Sequence, residues 1–116
     1  DRINQPETVN DIPLLTAKLD GIDNEGLRKL SDQLRNELDS AIIILASNFN
    51  DKVLFVATVT KDLIEKGYHA GNIIRDVAKI TGGGGGGRPD MAQAGGRDVS
   101  KIEEALAEAK NIIINI

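Results

Sequence analysis

Gly82–Gly96 reads GGGGGGRPDMAQAGG, and the nature of this stretch decides what the chain on either side of it must be. It holds eight of the twelve glycines in the 116-residue chain. A flexible spacer would separate two domains, whereas a segment inside one fold must be held by the rest. Three features favour the second reading. The run contains no serine, only 29 residues follow Gly87, and it continues into the specific sequence Arg88-Pro89-Asp90-Met91-Ala92-Gln93-Ala94. Ordering a backbone costs roughly 1–2 kcal/mol per residue, so a domain that orders six glycines gains something from them. Bare N–H groups, unshielded by side chains, let an anion come close. Two phosphate motifs fail here. A P-loop needs Lys and then Ser/Thr after its last glycine, where this chain has Arg88 and Pro89. A dinucleotide G-x-G-x-x-G follows a strand and opens a helix, and this run follows a helical pattern.

Working outward, Ala70–Thr81 reads as a helix with Ala70, Ile73, Ile74, Val77 and Ala78 on one face, stopped by Gly82. A shorter helical piece begins at Thr60 and Asp62 and ends at Gly67. Before it, Ala41–Ser47 and Val53–Val59 are apolar, β-branched runs of strand length. Asn48-Phe49-Asn50-Asp51 between them has turn chemistry, so they form a hairpin covered on both faces. Gly21–Asn24 turns the chain into a helix running to about Asp39, with Leu27, Leu30, Leu34 and Leu38 as its apolar stripe. Ile12–Leu19 reads as a strand with Pro13 near its start, tolerable at an edge. Beyond the glycines, Met91–Ala94 reads as a short extended piece, a loop or an edge strand. Asp98 caps a last helix with Val99, Ile102, Leu106, Ala109 and Ile113 on its apolar side, and Ser100 and Glu103 are spaced for a capping box. The order β-α-β-β-α-(loop/β)-α predicts an α/β fold: a mixed sheet with helices packed against it.

The length fits one domain. Residues 1–9 form a polar, flexible entry segment, and residues 10–116 form the domain with its glycine-rich loop 82–96. There is no cysteine, so disulfides and cysteine metal sites are excluded and a reducing, cytoplasmic setting is expected. No run approaches the roughly 20 apolar residues of a membrane span. The chain opens at Asp1, as an excised fragment would. Net charge is −4, unevenly spread. Residues 1–60 carry six basic and ten acidic side chains, residues 61–101 seven and five, and residues 102–116 one and three. The segment with the glycine run is the positive one, which suits a phosphate surface.

Little in the sequence suggests catalysis. His69 is the single histidine, and near a helix start it reads as a capping or packing residue. No His and carboxylate cluster has metal spacing. Glu103, Glu104 and Glu108 read as the solvated face of the last helix. Tyr68, beside His69, either stacks on a base or packs at the helix start. What remains is binding. Gly82, Gly83, Gly84, Gly85, Gly86 and Gly87 supply N–H groups, Arg88 a planar fork suited to phosphate, and Gln93 a carboxamide. Arg75 and Lys79, at i and i+4 before the run, and Arg97 and Lys101 after it, complete a candidate basic rim.

The stretch from Ile80-Thr81 through Gly82–Gly87 and Arg88-Pro89-Asp90-Met91-Ala92-Gln93-Ala94-Gly95-Gly96 closely resembles the C-terminal domain of alanyl-tRNA synthetases. That domain is related to the one accompanying DHH phosphoesterases, where His follows the glycines and Arg88 stands here. The order of elements extends the resemblance over residues 10–116. It implies a non-catalytic domain that grips the elbow of an alanine-accepting tRNA and supports aminoacylation and editing by the parent enzyme's other domains. That enzyme is an ATP-dependent ligase, whose ATP and zinc would be held elsewhere in the longer chain, leaving this fragment without a cofactor of its own. Two other readings stand beside it: a homodimerisation module, suggested by the apolar Ile112–Ile116 end, and an accessory nucleotide-binding domain of a phosphoesterase.

Overall fold

A computed structural model describes residues 6–116; residues 1–5 of the entry segment lie outside it. In chain order the elements are β1 (Glu7–Val9), β2 (Ile12–Asp20), α1 (Asn24–Glu37), β3 (Ile42–Phe49), β4 (Lys52–Val59), α2 (Lys61–Glu65), α3 (Ala70–Ile80), β5 (Gly84–Gly87), β6 (Met91–Gly96) and α4 (Ile102–Ile114). A 3-10 turn at Val99–Lys101 leads into α4. The strands form one mixed sheet in the order β1-β2-β3-β4-β6-β5. Strands β2 and β3 are parallel, as the crossover through α1 requires, and the other neighbours are antiparallel.

The β3–β4 run is apolar on both faces because both faces are covered. Ile43, Leu45 and Val56 meet Leu27 and Leu34 of α1, with Leu30 and Leu38 partly buried beside them. Ile42, Ile44, Phe55 and Ala57 meet Ile73, Ile74 and Val77 of α3 and Ile102, Ala105 and Ile113 of α4. Fully burying each large aliphatic side chain contributes roughly 1.5–3 kcal/mol, so these two layers dominate the stability. One polar contact crosses the α1 layer, between the buried hydroxyls of Ser31 and Thr58.

Three details depart from the sequence reading. The polar entry segment contributes β1, which covers the edge where Pro13 was expected; Pro13 sits opposite Thr8, ahead of the parallel pairing that starts at Leu14. The turns before β2 and before β4 are both Asn-Asp, with φ of +56° and +64° at Asn10 and Asp11 and +55° and +62° at Asn50 and Asp51. Two consecutive positive φ values mark the tight hairpin turn whose twist suits antiparallel strands, so β3 extends through Phe49. At the last helix, Asp98 does cap, accepting from the Ser100 N–H at 3.0 Å. The Ser100 hydroxyl donates to Asp98 as well, at 2.5 Å, so the expected box with Glu103 gives way to the 3-10 turn.

The glycine run is a strand. Gly84–Gly87 pairs with Ala92–Gly95 of β6 and forms the outer edge of the sheet among the described residues, while Met91–Gly96 lies one place inside it. Its residues alternate in what surrounds them. A Cβ on Gly83 would stand 1.8 Å from the Gly95 carbonyl oxygen, one on Gly85 2.5 Å from the Ala94 Cα, and one on Gly87 2.9 Å from the Ala92 Cα. On Gly84 or Gly86 it would meet nothing within 4 Å. Alanine is therefore expected to act with a period of two. Gly83→Ala and Gly85→Ala should destabilise by about 1–3 kcal/mol, the scale of overpacking. Gly84→Ala and Gly86→Ala should be neutral, or stabilise by about 0.4–1 kcal/mol through the unfolded state. Thermal melting of the four variants checks this, and a uniform response along the run would contradict the strand.

Candidate functional site

The β5–β6 hairpin is built from both ends. Helix α3 ends with Gly82 at φ +77°, its N–H donating to Lys79 O at 3.0 Å and that of Gly83 to Ala78 O at 3.0 Å. This doubly bonded stop satisfies the last carbonyls and turns the chain back. Thr81 is fully buried; its hydroxyl donates to Ala78 O at 2.8 Å, and its carbonyl accepts from the Arg97 and Asp98 N–H groups at 2.8 and 2.9 Å. One residue thus ties the strand leaving α3 to the strand returning from the hairpin. At the far end the Ala70 N–H, at the start of α3, donates to Pro89 O at 2.9 Å, and the Val59 N–H donates to Asp90 O at 3.0 Å. His69 caps that helix start, its Nδ1 accepting from the Asn72 N–H at 3.1 Å. Tyr68 is buried in the core, which leaves its ring with a packing role.

The open face of the hairpin looks toward α1. Gln93 on β6 lies between Val56 and Gly86 in the register, and Val56 packs under α1. Helix α1 packs on β3 and β4. Between its exposed side and the hairpin lies a depression of about 250 Å³, with Arg28, Gly86, Arg88, Met91 and Gln93 among its walls. The side-chain amide nitrogen of Gln93 is buried and has no hydrogen-bond partner among the described residues. Arg28 forms no ion pair among them, and the Arg88 Nε stands 3.4 Å from Asp90 with its side chain 74% exposed. Arg28 from α1 and Arg88 from the hairpin tip therefore border a depression that has no side chain at Gly86. That arrangement suits an anion or a flat polar group. A larger depression of about 380 Å³ lies between α3 and α4; it presents Asp76 and Glu108 and no Lys or Arg, so it repels anions.

The sequence-predicted cations divide between the ends of the hairpin. Arg88 stands at its tip. Lys79, Arg97 and Lys101 stand at its base, about 13 Å away along four residues of strand. Arg75 and Lys79 share Asp76, at 3.6 and 3.9 Å. The Ser100 hydroxyl and N–H and the Lys101 charge hold the Asp98 carboxyl below its ordinary value. Arg28 was missed from the sequence: it lies far from the glycines in the chain and reads there as one more solvated helix charge. Among the described residues no three His, Asp or Glu side chains stand close enough to hold a metal ion, and no helix is long and apolar enough to cross a membrane.

The DHHA1 domain model matches residues 11–115. The alanine–tRNA ligase of Natranaerobius thermophilus is 51% identical over 115 residues, covering 99% of this chain and 13% of its own length. That of Clostridioides difficile is 53% identical over 105 residues, covering 90% and 12%. The chain therefore spans about an eighth of these curated relatives. The crystal structure of the C-Ala domain from Aquifex aeolicus alanyl-tRNA synthetase superposes with a TM-score of 0.87 at 37% identity, covering 96% of this chain and 99% of that one. A DHH-domain member of the s1p family of ribosomal proteins shares the fold, with a TM-score of 0.68 at 16% identity over 99% of this chain and 28% of its own.

The Arg88–Asp90 pair is exposed, and exposed pairs contribute little. Arg88→Ala is expected to change stability by less than about 0.5 kcal/mol, read by thermal or urea melting. A clear loss would instead assign the guanidinium to holding the hairpin turn.

Proposed function

This chain belongs to the DHHA1 domain family as the C-terminal domain of an alanyl-tRNA synthetase, and we propose that it grips the elbow of the tRNA without doing chemistry itself. The observation that carries this reading is the side-chain-free strand β5 with its open face between Arg28 and Arg88. A folded RNA surface presents phosphates and shape rather than an accessible groove of base edges. A narrow shelf with two planar cations approaches such phosphates without steric obstruction. Lys79, Arg97 and Lys101 at the hairpin base, with Arg75 on α3, extend the contact along the RNA backbone. The alanine-accepting tRNA is the partner. Its aminoacylation with ATP and the removal of mischarged products belong to other domains of a longer cytoplasmic chain, as do the ATP and zinc.

A second reading rests on Ile114 and Ile116, which are 50% and 55% exposed at the end of α4. They offer an apolar contact for a second copy. Sedimentation of the chain without RNA distinguishes the two, because a dimerisation module self-associates on its own.

For the tRNA reading, Arg88→Ala and Arg28→Ala are each expected to weaken binding of an alanine tRNA transcript by about 1–3 kcal/mol. Arg88→Lys should recover part of the loss, since an ammonium lacks the bidentate fork. Gly86→Val, which fills open space, should keep the fold and lose affinity. The salt dependence should be shallow, because few cations are available to displace counterions. Footprinting should show protection where the two hairpin loops of the tRNA meet; protection confined to the acceptor end would overturn the reading.

A further inference from the structure

We propose that Gln93 reads one unpaired nucleotide of the bound RNA, whose base enters the depression between α1 and β6. This rests on the tRNA reading above and adds direct recognition of a base to it. The observation behind it is the buried amide nitrogen of Gln93, which donates to nothing among the described residues. A buried donor without an acceptor destabilises a fold, and an apolar side chain of the same length would serve stability better there. The cost is explained if the group has a partner in the bound state. Gln93 borders the depression, so rotation about its long side chain brings the carboxamide from its tucked position to the opening.

The surroundings fit a base rather than a phosphate alone. Gly86, directly opposite Gln93 in the register, leaves open space above the strand. Met91 adds an apolar, polarisable wall, and Arg28 reaches the depression from α1. A planar base between them meets a thioether on one side and a guanidinium able to stack on the other. A carboxamide carries both a donor and an acceptor and pairs with a base edge through two hydrogen bonds. The volume, about 250 Å³, lies below the roughly 300–1,000 Å³ typical of pockets for whole drug-sized ligands. It accommodates a single ring system and no duplex. A base inside a helix cannot reach it, so the nucleotide comes from a loop, where unstacked bases are available. With the base seated, Arg88 at the rim stands where the adjoining phosphate emerges.

The test uses Gln93→Met, which keeps the length and removes both polar groups. Its melting temperature should equal or exceed that of the wild type, while its affinity for an alanine tRNA transcript falls about five-fold or more, the scale of one or two hydrogen bonds. Opposite signs on stability and binding are what a merely structural glutamine would not give. Transcripts made abasic at single unpaired loop positions supply the second arm. One position should weaken the wild type by about five-fold and have no added effect on Gln93→Met, the signature of a coupled pair. Unchanged affinity of Gln93→Met, or equal abasic effects in both proteins, would overturn the proposal while Arg88→Ala still weakens binding and the tRNA reading stands. Wild-type protein that fails to bind the transcript, or an Arg88→Ala variant that binds equally well, would overturn the tRNA reading and this inference with it. Should Gln93→Met fail to fold, Gln93→Glu keeps the shape and replaces the donor by a negative acceptor. It should bind more weakly still, and equal binding refutes the assignment.

Discussion

Helix α3 and strand β5 approach so closely that a Cβ on Gly71 would stand 2.6 Å from the Gly87 carbonyl oxygen and 2.9 Å from its nitrogen. The rest of the site depends on that contact. Polyglycine has the highest backbone entropy to lose and no side chain to anchor it, so it becomes a strand only if its surroundings impose the conformation. They do so on three sides: β6 pairs with it, α3 lies against it, and Thr81 fastens both ends of the hairpin at its base. A longer side chain at position 71 would push the strand away and open the shelf. The glycine in the first turn of α3 therefore matters as much as the glycines in the strand.

Much of the fold was legible because its core elements announce themselves by side chain. The runs 41–47 and 53–59 are strands by composition, and the leucines of α1 and the isoleucines of α3 mark helix faces by spacing. The elements that were missed are those whose conformation comes from outside. Glu7–Val9 carries little strand signal, yet the Asn10-Asp11 turn that folds it onto β2 repeats the Asn50-Asp51 turn of the central hairpin and could have revealed it. Gly84–Gly87 carries none at all, since strand propensity measures side-chain packing. The candidate site was half legible. Arg88 and the glycines adjoin in sequence, but Arg28 joins them only through the crossover that lays α1 on β3 and β4, with Arg28 at the edge of the depression beside the hairpin.

An unprotected sheet edge is a hazard for aggregation, and the geometry of β5 limits it. The strand has four residues, begins just after the helix stop at Gly82 and ends at the turn carrying Arg88 and Pro89. A short edge bounded by a charge and a proline offers a poor template for a further strand. The same shortness confines a ligand's contact with the backbone to a few N–H groups, so recognition must draw on the flanking side chains.

Electrostatics leads to the same conclusion. The chain carries a net charge of −4, and several cations near the hairpin have carboxylates close by: Arg75 and Lys79 share Asp76, and Arg88 has Asp90. Such pairs lower the local positive potential and must open or be shared when a phosphate arrives, which reduces the gain from each contact. A surface of this kind cannot hold nucleic acid by charge density, as a basic patch does. If the chain grips tRNA as proposed, its hold comes from fit: a strand stripped of side chains, two arginines set by separate elements, and a shelf bounded by α1. Under the proposed role, fit would discriminate one folded RNA shape from another where unspecific charge does not, and the net negative charge of the chain would weaken its attraction for polyanions that lack that shape.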